Sequence, residues 1–202
     1  MTHNFWQEFN TAVKEKNSDA FLVGENWTDT NTMAKFFEDL DSSFNFSLAN
    51  KLLDMANGDE IDILSEMKSI YDVYGQYTDN IIDSTFLSNH DQDRVGSVLG
   101  DNKAKKKLAG SLLLTLPGTP FIYYGEELGQ LGQGEHDNIR EPFDWYKDAS
   151  GTGMTTMETG GFYHPMAYTK ANDGISLEEQ QGKVDSIYEH YKKLISIRKN
   201  NR

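Results

Sequence analysis

The chain is 202 residues long, enough for one sizeable core but short of the roughly 250 residues that a complete (β/α)8 barrel usually needs. Its 19 Lys and Arg against 32 Asp and Glu leave a formal charge of -13, which repels phosphate backbones and anionic lipid heads and excludes nucleic acid and membrane surfaces as partners. The absence of cysteine removes disulfides, thiolate metal sites and a cysteine nucleophile.

The opening Met1-Thr2-His3-Asn4-Phe5-Trp6 has no basic region followed by an apolar run, and no stretch approaches the ~18 apolar residues of a membrane span. A soluble protein of bacterial type is expected, secreted or cytoplasmic, and a signal peptide could precede a longer parent. Gln7 to Asn17 reads as a helix. Phe21-Leu22-Val23-Gly24 is a short apolar run that fits a buried strand ending in Glu25-Asn26-Trp27. A shorter and more polar strand, Ser43-Phe44-Asn45-Phe46, precedes Leu48, Leu52, Leu53 and Ala56 at helical spacing. Ile63, Met67, Ile70, Tyr71 and Tyr74 form a second helical stripe, for which Gly75 is expected to supply a left-handed C-cap.

Ile81 to Leu87 predicts a third strand that enters Ser88-Asn89-His90-Asp91. Ala104, Leu108, Leu112 and Leu113 then line one helix face, with Lys103, Lys105, Lys106 and Lys107 as a solvated one, until Pro117 and Gly118 end it. Pro120-Phe121-Ile122-Tyr123-Tyr124 predicts a fourth strand running into Gly125-Glu126-Glu127. From Gly129 to Asp173 no period persists, which suits a functional loop or small excursion. A capping box of Ser176 and Glu179 is expected to open the last helix, with Val184, Ile187, Tyr188, Tyr191, Leu194 and Ile195 as its buried stripe. Apolar runs alternating with helical segments give an α/β class with about four parallel βα units. Residues 1-202 form a single partial domain in this reading, with no separate second domain.

Parallel barrels place their active sites at the carboxyl ends of the strands, where Glu25 and Asp91 fall. Two carboxyl groups across a barrel mouth suit glycosidic bond cleavage, in which one protonates the leaving oxygen and the other acts at the oxocarbenium-like centre. The residues alone leave a plainer alternative open. A Glu after an apolar run can be a strand terminus seeking water, and Asn-His-Asp is a common turn or N-cap.

Phe21-Leu22-Val23-Gly24-Glu25-Asn26-Trp27 resembles the region around the acid/base glutamate of the α-amylase superfamily, glycoside hydrolase family 13. Phe86-Leu87-Ser88-Asn89-His90-Asp91-Gln92-Asp93-Arg94 resembles the fourth signature region of that family. Residues 118–127 are similar to its eighth strand, Asn138-Ile139-Arg140-Glu141-Pro142-Phe143-Asp144-Trp145 to the segment that follows, and residues 191–199 to the last barrel helix. The resemblance implies an α/β fold that is the second half of a TIM (β/α)8 barrel, with Glu25 as the general acid and later the base, in a partly dry site that raises its pKa. It implies that Asp91 stabilises the transition state and that His90 hydrogen-bonds the same sugar, with Asn89, Arg140 and Trp27 as further substrate-binding residues. Arg94 is read either as a fork orienting a neighbouring carboxylate or as a surface ion pair. Trp27, Trp145, Phe162 and Tyr163 offer flat faces for glucose rings or cover for the core.

The nucleophilic aspartate of the family lies upstream of the acid/base glutamate, and only 24 residues precede Glu25 here. The chain alone is therefore expected to be catalytically incomplete, as part of a retaining α-glucan hydrolase. No metal site and no cofactor is expected in this chain, with calcium left to the full-length parent. The ligand expected is an α-glucan oligosaccharide, and the exposed edges of a half barrel would favour a homodimer. Glucosidase, neopullulanase and transglycosylase activities share the motifs. A non-catalytic carbohydrate-binding or self-associating module, and an α/β domain without ligand, are the competing classes. The glycosylation patterns Asn26-Trp27-Thr28 and Asn45-Phe46-Ser47 are read as chance.

Overall fold

A computed structural model describes residues 2–149 and 166–201. Two compact units emerge, one from Met1–Lys51, Glu60–Phe86 and Pro117–Phe121, the other from Leu52–Asp59, Leu87–Leu116 and Ile122–Arg202.

The first unit holds the sheet. Its strands are β1 (Val23–Gly24), β2 (Ser42–Phe44), β3 (Asp83–Thr85) and β4 (Thr119–Pro120), all parallel and in the order β1-β2-β3-β4. Val23 pairs with Ser42, Ser43 with Asp83 and Ser84 with Thr119. Helices α1 (Thr2–Lys16), α2 (Thr30–Ala34), α3 (Phe46–Asn57) and α4 (Ile63–Tyr74) fall before and between these strands. This is the α/β half-barrel order that the sequence predicts. The polar character of β2 has a local cause. Ser42 Oγ lies 2.6 Å from Ser84 Oγ, and Ser43 Oγ donates to the Gly24 carbonyl at 3.0 Å, so hydroxyls satisfy one another across buried strands. Beside them Phe44 meets Phe86 and Phe121 edge-on, and Phe46 meets Phe86 in the same way, with Ala49 completing the cluster.

Asn45 links sheet and helix. Its side-chain oxygen accepts from Leu48 N at 2.9 Å, capping α3, and its Nδ2 donates to Asp83 Oδ2 at 3.0 Å. Burial pushes the Asp83 carboxyl up to about 6 against an ordinary value of 3.8, although the bonds from Asn45 and Tyr71 pull it down. The folded state thus holds a proton that the unfolded chain releases near 3.8, so stability is greatest at low pH and falls as pH rises to 6. Asp83→Asn should remove a burden on the order of 3 kcal/mol at pH 7. Melting temperatures across pH 4 to 7 check it: the variant's advantage should grow with pH, and a constant offset contradicts the assignment.

Two expectations in this unit change. Gly75 is right-handed, φ -62°, and donates to the Tyr71 carbonyl. The chain leaves α4 through a further turn in which Thr78 N reaches the Tyr74 carbonyl, so no left-handed cap is needed. Helix α1 also starts earlier than expected, with Phe5, Trp6 and Phe9 in mutual ring contact.

In the second unit lie α5 (Val95–Val98), α6 (Lys103–Thr115), α7 (His136–Ile139), α8 (Leu177–Gln180) and α9 (Ile187–Asn200). Helix α6 packs on α9 where Gly110 meets the Tyr191 ring, and a Cβ at Gly110 would overlap that ring. Leu114, Ile187 and Tyr191 form the buried cluster. The face of α6 is rotated from the expected one: Lys106, Ala109, Gly110, Leu113 and Leu114 are buried, whereas Leu108 is exposed. Lys106 is therefore no wet-face lysine, and its Nζ donates to the Gly129 carbonyl at 3.4 Å.

The last long helix begins at Ile187. Ser176 Oγ accepts from Glu179 N and caps α8, without the reciprocal bond of a full capping box; α8 ends after one turn, and Ser186 Oγ, accepting from Glu189 N, caps α9. Val184, expected in the buried stripe, is 94% exposed. Strand β4 ends at Pro120 because, after Phe121 N donates to the Thr85 carbonyl, the chain turns at Gly125. That residue has φ +84°, and a Cβ would collide with Gln130, so only glycine suits the position.

Candidate active site

Glu25 and Trp27 follow β1 and Asn89, His90 and Asp91 follow β3, at the carboxyl ends of parallel strands, whereas Arg140 caps the carboxyl end of α7. Glu25 comes directly after β1 and is solvent-exposed, so the partly dry setting implied for it is not found among the described residues. Its neighbours are fixed. Asn26 Nδ2 donates to Ser43 Oγ at 3.1 Å, and the Trp27 indole stacks on Phe46 with centroids 4.7 Å apart. Trp27 nevertheless keeps 58% of its surface exposed, so one face covers the core and the other is open to a flat ligand.

Strand β3 and Phe86 end the part of the chain in the first unit; Leu87 and Ser88, buried like Phe86, open the second, and the chain then turns. Asn89 Oδ1 accepts from Asp91 N at 2.9 Å, an Asx-turn that fixes the backbone of Asp91. Nitrogen groups of three side chains gather around the Asp91 carboxylate. Arg140 Nη2 lies 2.6 Å from Oδ1, while His90 Nε2 is 3.4 Å from Oδ2 and His136 Nδ1 is 3.5 Å from Oδ1. Arg140 also donates from Nε to the His90 carbonyl at 3.0 Å, and its Nη2 is 3.1 Å from His136 Nδ1. Asn89, His90, Asp91 and Arg140 are thus brought together. The arrangement leaves the carboxylate oxygens partly open to solvent, suited to receive hydroxyl donors beside planar guanidinium donors.

Arg94 differs from both expectations. It is 2% exposed, so it is no surface ion pair, and the partners of its fork are carbonyls rather than a carboxylate: Tyr124 at 2.6 Å, Ile139 at 2.7 Å and Glu141 at 3.3 Å. Glu141, also buried, accepts through its side chain from Ala167 N, Tyr168 N, Thr169 N and Thr169 Oγ1 at 2.5 to 3.0 Å. Near it, burial first and then Asp173, Glu179 and Glu141 push the Asp144 carboxyl up to about 7. Glu126, buried and bonded by Tyr191 Oη at 2.9 Å, is pushed up to about 8 by burial. His136, Glu141 and Glu126 were not singled out from the sequence. Only the clustering of Glu with Arg, Pro and Gly in an irregular stretch hints at them, since their partners lie far along the chain.

Trp145 stacks obliquely on Phe143, centroids 4.5 Å apart; Phe162 and Tyr163 lie outside the described residues. A cavity of about 760 Å³ in this unit is lined by Lys106, Tyr168, Asp173 and Gln180 among others, and by none of the predicted site residues. Among the described residues no group of three or more His, Asp or Glu is placed to hold a metal ion. No helix among them is long and apolar enough to cross a membrane.

Comparison with known proteins places this geometry. The family model described as the alpha amylase catalytic domain matches residues 1–202. Alpha-amylase 3 of Dictyoglomus thermophilum is 38% identical over 195 residues, covering 96% of this chain and 38% of that protein. Alpha-amylase SusG of Bacteroides thetaiotaomicron is 31% identical, covering 96% of this chain and 28% of that protein. Among solved structures, the alpha-amylase from H. orenii superposes with a TM-score of 0.87 at 40% identity, covering 98% of this chain and 40% of that one. The chain thus spans less than half the length of these relatives. The chain, matched over its whole length by the catalytic-domain model, belongs to the α-amylase family, glycoside hydrolase family 13.

Proposed function

We propose that the chain supplies the acid/base and sugar-stabilising part of a retaining α-glucan hydrolase site, with residues 1–202 as one partial catalytic domain. The observation that carries this reading is the Asp91 carboxylate, held by Arg140 at 2.6 Å and flanked by His90 in the turn after β3. Asp91 would accept from ring hydroxyls and oppose the positive charge of the oxocarbenium-like centre. His90 and Arg140 would donate to the same sugar, and Trp27 would offer its open face to a neighbouring one. Glu25 would protonate the glycosidic oxygen and then take a proton from the attacking water. None of the residues is assigned the nucleophile's role, which falls to a carboxylate outside these 202 residues, as do any calcium ligands. The outer edges of β1 and β4 each lack a strand neighbour among the described residues, and pairing of two copies there is part of the proposal.

Titration of the 202-residue chain with maltoheptaose tests the sugar site. Asp91→Asn removes the charge but keeps the shape, and should weaken binding about tenfold, the loss of one charged hydrogen bond. Unchanged affinity in that variant counts against the role of Asp91. Binding without turnover by the isolated chain would agree with the division of roles proposed here.

A further inference from the structure

We propose that Arg94 is a positioning residue, which sets Arg140 on the Asp91 carboxylate by holding the backbone on both sides of Arg140 while touching neither side chain's ionic pair. The functional meaning of this inference rests on the sugar-binding reading of Asp91; the geometry stands without it. Arg94 Nε donates to the carbonyl of Ile139 and Nη2 to that of Glu141, the residues immediately before and after Arg140. Nη1 binds the Tyr124 carbonyl. Its own backbone N donates to the Gly132 carbonyl at 2.9 Å, tying down the start of the loop that leads to Arg140.

The guanidinium is itself immobilised. It lies 4.6 and 4.7 Å from the ring centroids of Tyr123 and Tyr124, cation–π contacts that gain strength in a buried setting. The Tyr124 hydroxyl lies 2.9 Å from the carbonyls of both Arg140 and Glu141 and shares its one proton between them. Three consecutive carbonyls, 139 to 141, are therefore pinned by one arginine and one tyrosine. The Arg140 side chain is itself exposed, and an exposed ion pair on a free loop is weak and mobile. Clamping the loop backbone removes most of the entropy that Arg140 would lose on reaching Asp91. Lysine cannot replace Arg94: one ammonium lacks the planar fork that meets carbonyls in three directions.

Exchange of arginine Nε–H with solvent, measured by NMR on the whole chain without sugar, tests this directly. In the native chain Arg140 Nε–H donates to the His90 carbonyl and should exchange slowly. In Arg94→Lys it should exchange at least tenfold faster, while Arg198, whose guanidinium binds the Leu114 and Leu116 carbonyls elsewhere in the unit, keeps its rate. Tyr124→Phe, which removes only a hydroxyl, should speed Arg140 exchange about threefold and decides the matter if Arg94→Lys does not fold. Arg140 rates within twofold of native in the folded variants overturn the proposal, and so does equal acceleration at Arg198, which marks general loosening. Because no sugar enters the measurement, a failure of maltoheptaose to bind would sink the reading of Asp91 and leave this inference intact.

Discussion

Glu25→Gln is expected to lower glucan hydrolysis by about 10³-fold or more once the chain is joined to the remaining barrel half, with affinity for maltoheptaose changed by no more than a few-fold. General acid catalysis is typically worth 10²–10⁴-fold, and glutamine keeps the size of the side chain without a proton to give. The β1 end that carries Glu25 is held by Asn26 on Ser43 and Trp27 on Phe46, so the substitution should leave the local backbone in place. The chemistry offers a sharper diagnostic than the overall loss. An aryl maltoside departs as a stable phenolate and needs little protonation, so the variant should lose far less rate on it than on maltoheptaose. Comparable losses on both substrates, or losses below tenfold on maltoheptaose, would remove Glu25 from the acid role. The separately produced first half of an α-amylase barrel is the reagent required.

The largest effect on stability is expected at Glu141. Its buried carboxylate receives three backbone N–H groups and one hydroxyl from residues 167–169, which ties the chain after the long excursion back to the segment before it. Glu141→Ala leaves the two buried Thr169 donors and the partly buried Ala167 and Tyr168 amides without their acceptor, a buried donor being worth about 1–3 kcal/mol when orphaned. Partial relief by water brings the expected destabilisation to about 4 kcal/mol, or a drop in melting temperature on the order of 10 °C for a chain of this size. Glu141→Gln keeps one acceptor but turns an amide toward the remaining donors, so it should fall between native and alanine. Thermal and urea unfolding of the variants measure this. A change under 1 kcal/mol for alanine would mean that the clamp is not formed in solution.

Much of this fold is legible from local patterning. The helical stripes of residues 63–74 and 103–115 and the apolar runs near residues 23, 44, 84 and 120 all appear where structure places helices and strands. Strand extents are not legible, because pairing covers only two or three residues per strand while the apolar runs continue into packed coil. The start of α9 was misplaced by a physical degeneracy: residues 176–179 and 186–189 carry the same Ser-x-x-Glu pattern, and only the left-handed Gly182, φ +79°, separates them. Lys106 fails for a different reason. A lysine on a helix is indistinguishable in sequence from its wet neighbours until the opposing loop, here Gly129, is known.

The site divides along the same line. Glu25 and Asp91 could be placed at strand ends because each lies a few residues beyond an apolar run. Arg140 entered through the resemblance. The supports of the site, Arg94, Tyr124 and Glu141, bind carbonyls or amides 16 to 47 residues away, and backbone partners carry no side-chain signature in a sequence.

The strand order β1-β2-β3-β4 follows the order of the chain. Each new strand therefore finds its pairing edge already synthesised when it leaves the ribosome, and no strand has to wait for a later one to be inserted beside it. Assembly can proceed from the amino to the carboxyl end at the pace of translation, a route that shortens the time during which an unpaired parallel edge is open to neighbouring chains.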